Sequence, residues 1–434
     1  MKARMSMAPS HFYFKPLNVG RFIVWAAFAL LMLLAPRLFS SSFSLTLLSQ
    51  VGIAIVACLS YNVLLGQGGM LSFGHSVYTG LAAFICVHVL NRIAQAHWPI
   101  PVSLLPLVGG VAGGMLAAGL GLVTTRRSGT PFAMITLGLV ELVFSMALMV
   151  PEFFGGEGGV TANRTAGPSV MGINFGPQIQ VYYLLAVYTW CSAWILFAFT
   201  QTPLGRLLNA VRDNAERVEF LGFSAQRVRY LGFVVSGFFA GIAGGMYALN
   251  FEIATAEVVG PARSGAYLLF TFLGGATVFF GPVLGGILMV LAFVLLSEIT
   301  KAWLLYLGLI FLFMVVYAPG GLAALILANA RVVQAGQFTR LSSAYLRLAL
   351  AGLLMLGSVS AWIEMVYHLQ LHTAMDTTLV FLGLSLDTAI ALHWWMVSLA
   401  SLLGLALFEW QRQRFLQTWS LVQKDVVSAP GSQP

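Results

Sequence analysis

Apolar segments long enough to cross a lipid bilayer recur along almost the whole chain and restrict what it can fold into. Only 8% of the residues are charged, against roughly 25% in soluble domains. A spanning helix needs about 20 mostly apolar residues, so we expect an all-α fold, a polytopic transmembrane helix bundle with about ten to twelve membrane segments. Apolar runs begin near Phe22, Ser44, Phe73, Pro101, Phe132, Val181, Tyr230, Ser264, Trp303, Leu346 and Ile390.

The basic residues indicate how these segments are oriented. If residues 1–21 lie in the cytoplasm, alternation of the spans puts five further segments there: 66–72, 124–130, 201–229, 319–347 and 409–434. The cytoplasmic segments then hold 17 of the 22 Lys and Arg residues, and the remaining five are Arg37, Arg92, Arg164, Arg263 and Lys301. This excess agrees with the positive-inside rule, so both termini are predicted to be cytoplasmic.

The run from Ser264 to Ser297 is longer than one span needs, and the alternation requires that it begin and end on the outside. Its midpoint, GGATVFFGP from Gly274 to Pro282, supplies the glycine and proline residues typical of a break. Two interpretations remain open for this run: two short spans, or one re-entrant hairpin.

One long polar stretch, Thr202 to Gly222, interrupts the apolar pattern. Apolar residues at steps of three or four predict a single helix that Gly222 ends; they are Leu204, Leu207, Leu208, Val211, Ala215, Val218 and Leu221. The opposite face carries Arg206, Arg212, Asp213, Asn214, Glu216, Arg217 and Glu219. A mixed-charge face of this kind suits contact with another protein in water and not contact with lipid.

Polar side chains also cluster between Tyr61 and Phe84, where three glycines predict a turn between two spans. They are Asn62, Gln67, Ser72, His75 and Ser76. These groups either line a transport pathway or hydrogen-bond one helix to another. Glu141 is the one acidic residue near the middle of a predicted span, where a charge costs about 2.5 to 3.5 kcal/mol. We therefore expect it to face a partner, to face a wet cavity or to be protonated, and His75 is the hypothesised partner.

Other patterns restrict the chemistry of the chain. The glycine-rich stretch Gly155 to Thr161 lies in the longest predicted outer loop, but no Gly-Lys pair occurs in the chain, so it is no phosphate-binding loop. His368, His372 and Asp376 are spaced as on one helix face, yet no fourth ligand is evident and we expect no metal site. The three cysteines have no paired spacing and predict no disulfide.

Together these motifs resemble the permease subunits of the branched-chain amino-acid family of ABC importers. The cytoplasmic-loop pattern of that family is matched by Pro203, Gly205, Arg206, Ala210, Arg212, Asp213, Asn214, Leu221 and Gly222. Ala215 departs from it, since members usually carry Glu there, and Glu216 or Glu219 is expected to replace that acidic group. Further matches are the Asn62 to His75 motif, Thr136, Leu137 and Glu141, the Gly155 to Thr161 stretch, and residues 273–287 and 318–326.

The resemblance implies a permease without catalytic residues, metal or cofactor, because ATP is used by a separate subunit. Implied partners are ABC ATPase subunits, a second permease subunit and an external substrate-binding protein, all at a bacterial inner membrane. Implied substrates are branched-chain or other amino acids, urea or short amides. Candidate pathway residues are Asn62, Gln67, Ser72, His75 and Glu141; candidate ATPase-coupling residues are Pro203, Gly205, Arg206, Arg212, Asp213, Asn214, Glu216, Glu219 and Gly222.

We expect three parts along the chain: an N-terminal segment with the first span (residues 1–43), a permease core (44–327) with a coupling loop (201–229), and an extension with two further spans (328–434). An ion-coupled secondary transporter is the alternative function, since such proteins also use glycine-broken helices. Glu141 alone provides little intramembrane charge for ion coupling. An intramembrane enzyme is disfavoured because His75 and Glu141 form no nucleophile or metal set.

Overall fold

A computed structural model describes residues 19–96, 98, 100–167, 174–334, 336–371, 377–381 and 383–428. In this part of the chain, nine helices are long and apolar enough to cross a membrane, or ten if one bent pair, Trp303–Tyr317 with Gly321–Gln334, counts as a span. The predicted all-α membrane bundle is therefore confirmed, and its nine or ten spans lie just below or at the lower limit of the predicted ten to twelve segments. The orientation of the termini stays a prediction.

The helices follow one another with short connections. They are α1 (Val19–Leu38), α2 (Ser42–Asn62), α3 (His75–Ala96), α4 (Leu105–Thr124), α5 (Thr130–Met149), α6 (Pro151–Phe154), α7 (Gln178–Gln201), α8 (Pro203–Asp213), α9 (Ala215–Phe220), α10 (Ala225–Phe251), α11 (Pro261–Gly274), α12 (Gly281–Leu291), α13 (Ser297–Ile299), α14 (Trp303–Tyr317), α15 (Gly321–Gln334), α16 (Phe338–Leu371) and α17 (Ala391–Ser428). Two antiparallel strand pairs accompany them: β1 (Val160–Thr161) with β2 (Ile253–Ala254), and β3 (Thr378–Phe381) with β4 (Leu384–Asp387).

The chain forms two compact units that meet in sequence after Tyr267. In the first unit α10 is the central helix, and it crosses α4 at glycines that recur every fourth residue. A Cβ at Gly241 would lie 2.1 Å from the carbonyl oxygen of Gly109, and one at Gly113 would lie 2.4 Å from that of Gly237. No other residue permits this approach, which is the small-residue packing expected where lipid offers no hydrophobic driving force between helices.

The predicted break between Gly274 and Pro282 is confirmed, because α11 ends and α12 begins there. A Cβ at Gly274 would lie 2.1 Å from the oxygen of Gly281, and one at Gly285 would lie 2.1 Å from that of Phe270. These pairs are symmetric about the turn, so the two helices form an antiparallel hairpin. With 14 residues, α11 is about 21 Å long and shorter than the hydrocarbon core, whereas the segment Gly281–Ile299 is long enough to cross it.

In the second unit, α16 and α17 pair as a long helical hairpin closed by β3 and β4. They contain 34 and 38 residues, so each extends beyond the thickness of a bilayer. The hairpin packs on α14 through the Phe313 and Phe408 rings, whose centroids are 5.7 Å apart. The predicted domain boundary after residue 327 falls inside α15. Of the spaced set on the extension, His368 is buried, while His372 and Asp376 lie outside the described residues.

Candidate functional site: the polar loop and the polar interior

The polar stretch from Thr202 to Gly222 forms two helices, α8 and α9, and the prediction of one continuous helix is wrong. Asn214 between them is extended (φ −159°), and its side chain accepts a hydrogen bond from the backbone N–H of Arg217 at 2.9 Å. Asn is a good N-cap because its side chain competes with the helical backbone bonds. The local capping preference of Asn214 therefore divides the stretch, while Thr202 caps α8 by accepting from Gly205 N–H.

The break also changes which apolar residues are buried. Leu208, Val211 and Val218 are buried as predicted. Leu204, Leu207 and Ala215 are half-buried. Leu221 is 70% exposed, contrary to its predicted place on the buried face. An extended residue interrupts the rotation of 100° per residue that the prediction assumed, so positions beyond Asn214 no longer continue the face of α8.

Gly222 ends α9 as predicted, with a positive φ of 87°. The N–H of Gly222 donates to the oxygen of Glu219 at 2.9 Å, and the N–H of Phe223 donates to that of Val218 at 3.2 Å. These two bonds form the Schellman motif, which favours glycine at the left-handed position. The turn leaves Phe220, Leu221 and Phe223 exposed by 90%, 70% and 48%. We call these three residues the apolar tip. Sequence reasoning missed it, although three large apolar residues around a terminating glycine were a visible signal.

Helix α8 rests on the glycine turn that connects α2 to α3. Asn209 donates from Nδ2 to Oε1 of Gln67 at 2.8 Å, and Arg212 donates from Nη1 to the oxygen of Gly66. Gly69, with φ +62°, lies so close that a Cβ there would be 2.7 Å from Cγ of Arg212. We call Gly66, Gln67, Asn209 and Arg212 the turn clamp. It joins two stretches that the sequence had assigned to different roles, the pathway and the ATPase contact.

The remaining candidate coupling residues divide between support and surface. Gly205 is buried, and a Cβ there would lie 2.3 Å from the oxygen of Phe199, so it permits the turn from α7 into α8. Exposed at the surface of the chain are Pro203, Arg206, Arg212, Asp213, Asn214, Glu216, Glu219 and Gly222. Arg212 is also paired with its neighbour Asp213, with Nη2 and Oδ1 3.0 Å apart. The exposed charges are thus free to meet another protein, whereas the inner side of Arg212 is held by the clamp.

His75 lies fully buried at the start of α3. Its Nε2 is 2.8 Å from Oγ of Ser60, and that hydroxyl donates to the oxygen of Ala57 at 2.7 Å. Because the only hydrogen of the Ser60 hydroxyl is used, Nε2 of His75 carries a proton and donates. The backbone N–H of His75 donates to Oγ of Ser264 at 2.8 Å.

Asn62 and Ser72 are also buried, and the hydroxyl of Tyr61 donates to the backbone oxygen of Ser72 at 2.8 Å. With His75, these candidate pathway residues hydrogen-bond or pack within the helix core in this conformation. Their geometry fits the interpretation in which these polar groups hydrogen-bond one helix to another and do not line a pathway.

Glu141 does not contact His75, so their hypothesised pairing is wrong. The buried face of α5 carries Phe132, Thr136 and Val140, and Oγ1 of Thr136 accepts from the backbone N–H of Phe73 at 3.0 Å. Glu141 lies on the other face, exposed at the surface of the chain together with Met134, Gly138, Ser145 and Leu148. A carboxylate is costly against lipid. An ionised Glu141 therefore disfavours direct contact between this face of α5 and lipid.

The loop between α5 and α7, which is predicted to be external, is held against the end of α10. Arg164 donates from Nε to the oxygen of Phe175 at 2.8 Å and from Nη1 to that of Leu249 at 3.1 Å. Its guanidinium also lies 3.7 Å from the carboxylate of Glu252. The strand pair β1 and β2 adds backbone bonds to the same junction. These contacts hold the described part of this loop in place against the end of α10.

Most of the chain is similar to one known protein family. The family described as "Branched-chain amino acid transport system / permease component" matches residues 43–319. The high-affinity branched-chain amino acid permease protein LivM of Escherichia coli K12 is 27% identical over 293 residues, covering 62% of this chain and 67% of that protein. LivM of Salmonella typhimurium is 26% identical over 302 residues, covering 64% and 69%. The ribose import permease RbsC of Haemophilus influenzae is 26% identical over 238 residues, covering 52% and 69%. No solved structure matches.

Proposed function

The chain belongs to the branched-chain amino acid transport permease family, and from this premise we propose that it carries branched-chain amino acids into a bacterial cell. It is a permease component of an ABC transporter and a multi-pass protein of the inner membrane. The substrate proposal is supported by the two LivM relatives, whose matches cover more of this chain than that of the ribose permease. In this proposal the chain is not an enzyme, and a separate subunit hydrolyses ATP.

The observation that carries the proposal is the cytoplasmic loop, with its apolar tip outside and its turn clamp inside. Phe220 is 90% exposed in a segment that the positive-inside rule predicts to be cytoplasmic. Large apolar side chains exposed together are typical of a surface that another protein covers. We propose that the ATPase subunit binds the apolar tip and the charged residues beside it.

The turn clamp supplies a route by which movement of the loop reaches the membrane. Leu208 of α8 fits between the turn and α10: a Cβ at Gly68 would lie 3.4 Å from Cδ1 of Leu208, and one at Gly232 would lie 2.9 Å from Cδ2. Side chains packed this closely move together. A displacement of α8 therefore displaces the end of α2, which continues into the π-helical turn Val63–Gln67. Gln67 acts in this proposal as a coupling residue.

The other partners are assigned to the two remaining surfaces. The exposed face of α5 around Glu141 is proposed to meet the second permease subunit, with the transport pathway between the two chains. Gly138, on the same face, has open space around its Cβ position, which permits close approach of a second helix. The external substrate-binding protein is proposed to dock on the outer loop that Arg164 holds in place.

Uptake into vesicles tests the function. The permease is reconstituted with its ATPase subunit and second permease, and radiolabelled leucine, ribose and guanosine are offered with the external binding protein. We expect leucine uptake that requires ATP and every partner. Leucine uptake driven by a proton or sodium gradient without ATP would support the ion-coupled alternative and contradict the proposal. ATP-driven uptake of ribose or guanosine in place of leucine would keep the transporter class and overturn the substrate.

A further inference from the structure

At the far end of α10 from the cytoplasmic loop, a guanidinium without an ion-pair partner lies near one tyrosine, and a carboxylate lies on the same short segment of the chain. The guanidinium carbon of Arg263 is 5.7 Å from the centre of the Tyr247 ring. Glu257 lies in the 3-10 turn Ala256–Val259 that leads into the first turn of α11, where Arg263 lies. Nε of Arg263 is buried and has no hydrogen-bond partner. Among the described residues, neither Arg263 nor Glu257 takes part in an ion pair.

Arg263 is unusual because its buried Nε has no hydrogen-bond acceptor. A guanidinium offers five donors in a fork that suits a carboxylate, and burying part of it without an acceptor is costly. Arg164, in the same unit, shows the ordinary solution, since backbone oxygens and Glu252 accept its hydrogen bonds. Arg263 is half-buried without such acceptors, so it remains available to an acceptor from outside the chain.

The segment that bears these charges is held rigidly by the buried polar motif on α3. The hydroxyl of Ser76 donates to the backbone oxygens of Val259 and Gly260 at 3.1 and 3.0 Å. The hydroxyl of Ser264, the neighbour of Arg263, accepts the backbone N–H of His75 at 2.8 Å. The polar motif thus positions residues 257–264, and a site built on a fixed backbone binds with less loss of conformational entropy.

The surroundings of Tyr247 contain a positively charged side chain, a negatively charged side chain and aromatic rings. Glu257 is exposed, whereas Tyr247 and Arg263 are half-buried. The Tyr247 ring packs on Phe251, with ring centroids 4.4 Å apart. Phe144 of α5 lies 3.5 Å from the Cβ position of Gly260, one helical turn from Glu141. The junction of α5, α10 and α11 therefore places a cation, carboxylates and aromatic rings at the surface that we assigned to the pathway.

We propose that Arg263, Glu257 and Tyr247 form a binding site for a zwitterionic amino acid with an apolar side chain. Arg263 binds the carboxylate of the amino acid, Glu257 binds its ammonium group, and the aromatic rings contact the side chain. The site receives the substrate at the end of the bundle opposite the ATPase, because Tyr247 lies about 33 Å along α10 from the cytoplasmic loop. This inference rests on the proposed transport of amino acids and assigns a recognition site to it within the permease itself.

Protection of a cysteine beside the site provides a test that does not need the binding protein. Ala262 is exposed next to Arg263, and of the native cysteines only Cys191 is not buried. An Ala262→Cys, Cys191→Ala permease is placed with its ATPase and the second permease subunit in lipid nanodiscs and labelled with a maleimide. The added probes are leucine, leucinamide, which lacks the carboxylate, and 4-methylpentanoate, which lacks the ammonium group. We expect the strongest protection with leucine, weaker protection with 4-methylpentanoate and none with leucinamide.

Variants at position 263 separate recognition from folding. Arg263→Gln should lose the protection by leucine and lower leucine uptake about ten- to hundredfold, the loss expected for one charge-assisted contact. Arg263→Lys, which keeps the charge, should retain part of both. Arg92→Gln, the same change at an exposed arginine of the predicted outer side, should leave both unchanged. The binding-protein concentration that half-maximally stimulates ATP hydrolysis should be the same in all three variants.

Three results would overturn the inference. Protection could be absent although the wild-type complex takes up leucine, or it could persist in Arg263→Gln. A higher half-maximal concentration of binding protein in Arg263→Gln would instead make Arg263 a docking contact for that protein. If the wild-type complex takes up no leucine at all, the proposed substrate fails first, and the recognition site falls with it.

Discussion

A Gly222→Val variant is expected to reach the membrane in normal amount and to lose ATP-driven uptake by more than about tenfold. Gly222 has a φ of +87°, which a β-branched residue adopts only at a cost of about 1 to 2 kcal/mol. The Cβ position of Gly222 has no atom within 4 Å, so the valine causes no clash. Its whole effect is on the backbone, where it redirects the chain between the apolar tip and α10.

The matched control is Gly222→Asn, because Asn tolerates the left-handed region far better than Val. It should keep most of the uptake. Both variants are measured in one vesicle preparation for leucine uptake and for ATP hydrolysis stimulated by the loaded binding protein. Uptake at the wild-type rate in Gly222→Val would mean that the exit angle of α9 has no part in transport.

Opening the turn clamp should separate ATP hydrolysis from transport. In an Asn209→Ala, Arg212→Ala double variant the bonds to Gln67 and to the oxygen of Gly66 are lost. The apolar tip is untouched, so we expect the ATPase to bind and hydrolyse ATP. Movement of α8 then reaches α2 only through the packing of Leu208, and the amount of leucine taken up per ATP hydrolysed should fall at least about tenfold.

The single variants Asn209→Ala and Gln67→Ala, together with their own double variant, form a double-mutant cycle. Because Asn209 and Gln67 touch, their effects on coupling should be non-additive. Arg227→Ala, which removes an exposed arginine from the first turn of α10, is the control and should keep the wild-type ratio. An unchanged ratio in the double variant would show that the clamp is only a packing contact. Loss of ATPase binding in the double variant would show that Arg212 contacts the ATPase itself.

The membrane fold could be predicted because lipid leaves few alternatives. A long apolar run with little charge must form a helix whose backbone bonds are internal, so the spans followed from hydropathy alone. The break between Gly274 and Pro282 could also be predicted, because it depends only on glycine and proline residues within one apolar run. The positive φ of Gly222 was predictable for the same reason, because a glycine after an apolar helical face is a common helix end.

The errors concern features that depend on rotation of one helix relative to another. Glu141 and His75 were paired because each is polar at membrane depth, but the rotation of α5 turns Glu141 outward and leaves Ser60 to bond His75. The apolar tip was missed because Leu221 was counted as part of a continuous helix. The Asn214 side chain accepts a hydrogen bond from the backbone N–H of Arg217 and so starts a new helix. The spacing of apolar residues does not show whether an Asn side chain caps a helix or lies within one.

Photo-crosslinking from Phe220 tests most directly whether this loop contacts the ATPase. A benzophenone amino acid replaces Phe220 in the apolar tip or, as a control, Leu104, which is exposed at the opposite end of α4 from the predicted cytoplasmic side. Cells that contain the whole transporter are irradiated, and the adducts are identified by mass spectrometry. We predict an adduct between the permease and its ATPase subunit from position 220 and not from position 104. An adduct of position 220 with lipid or with another segment of the permease, and none with the ATPase, would contradict the proposed coupling.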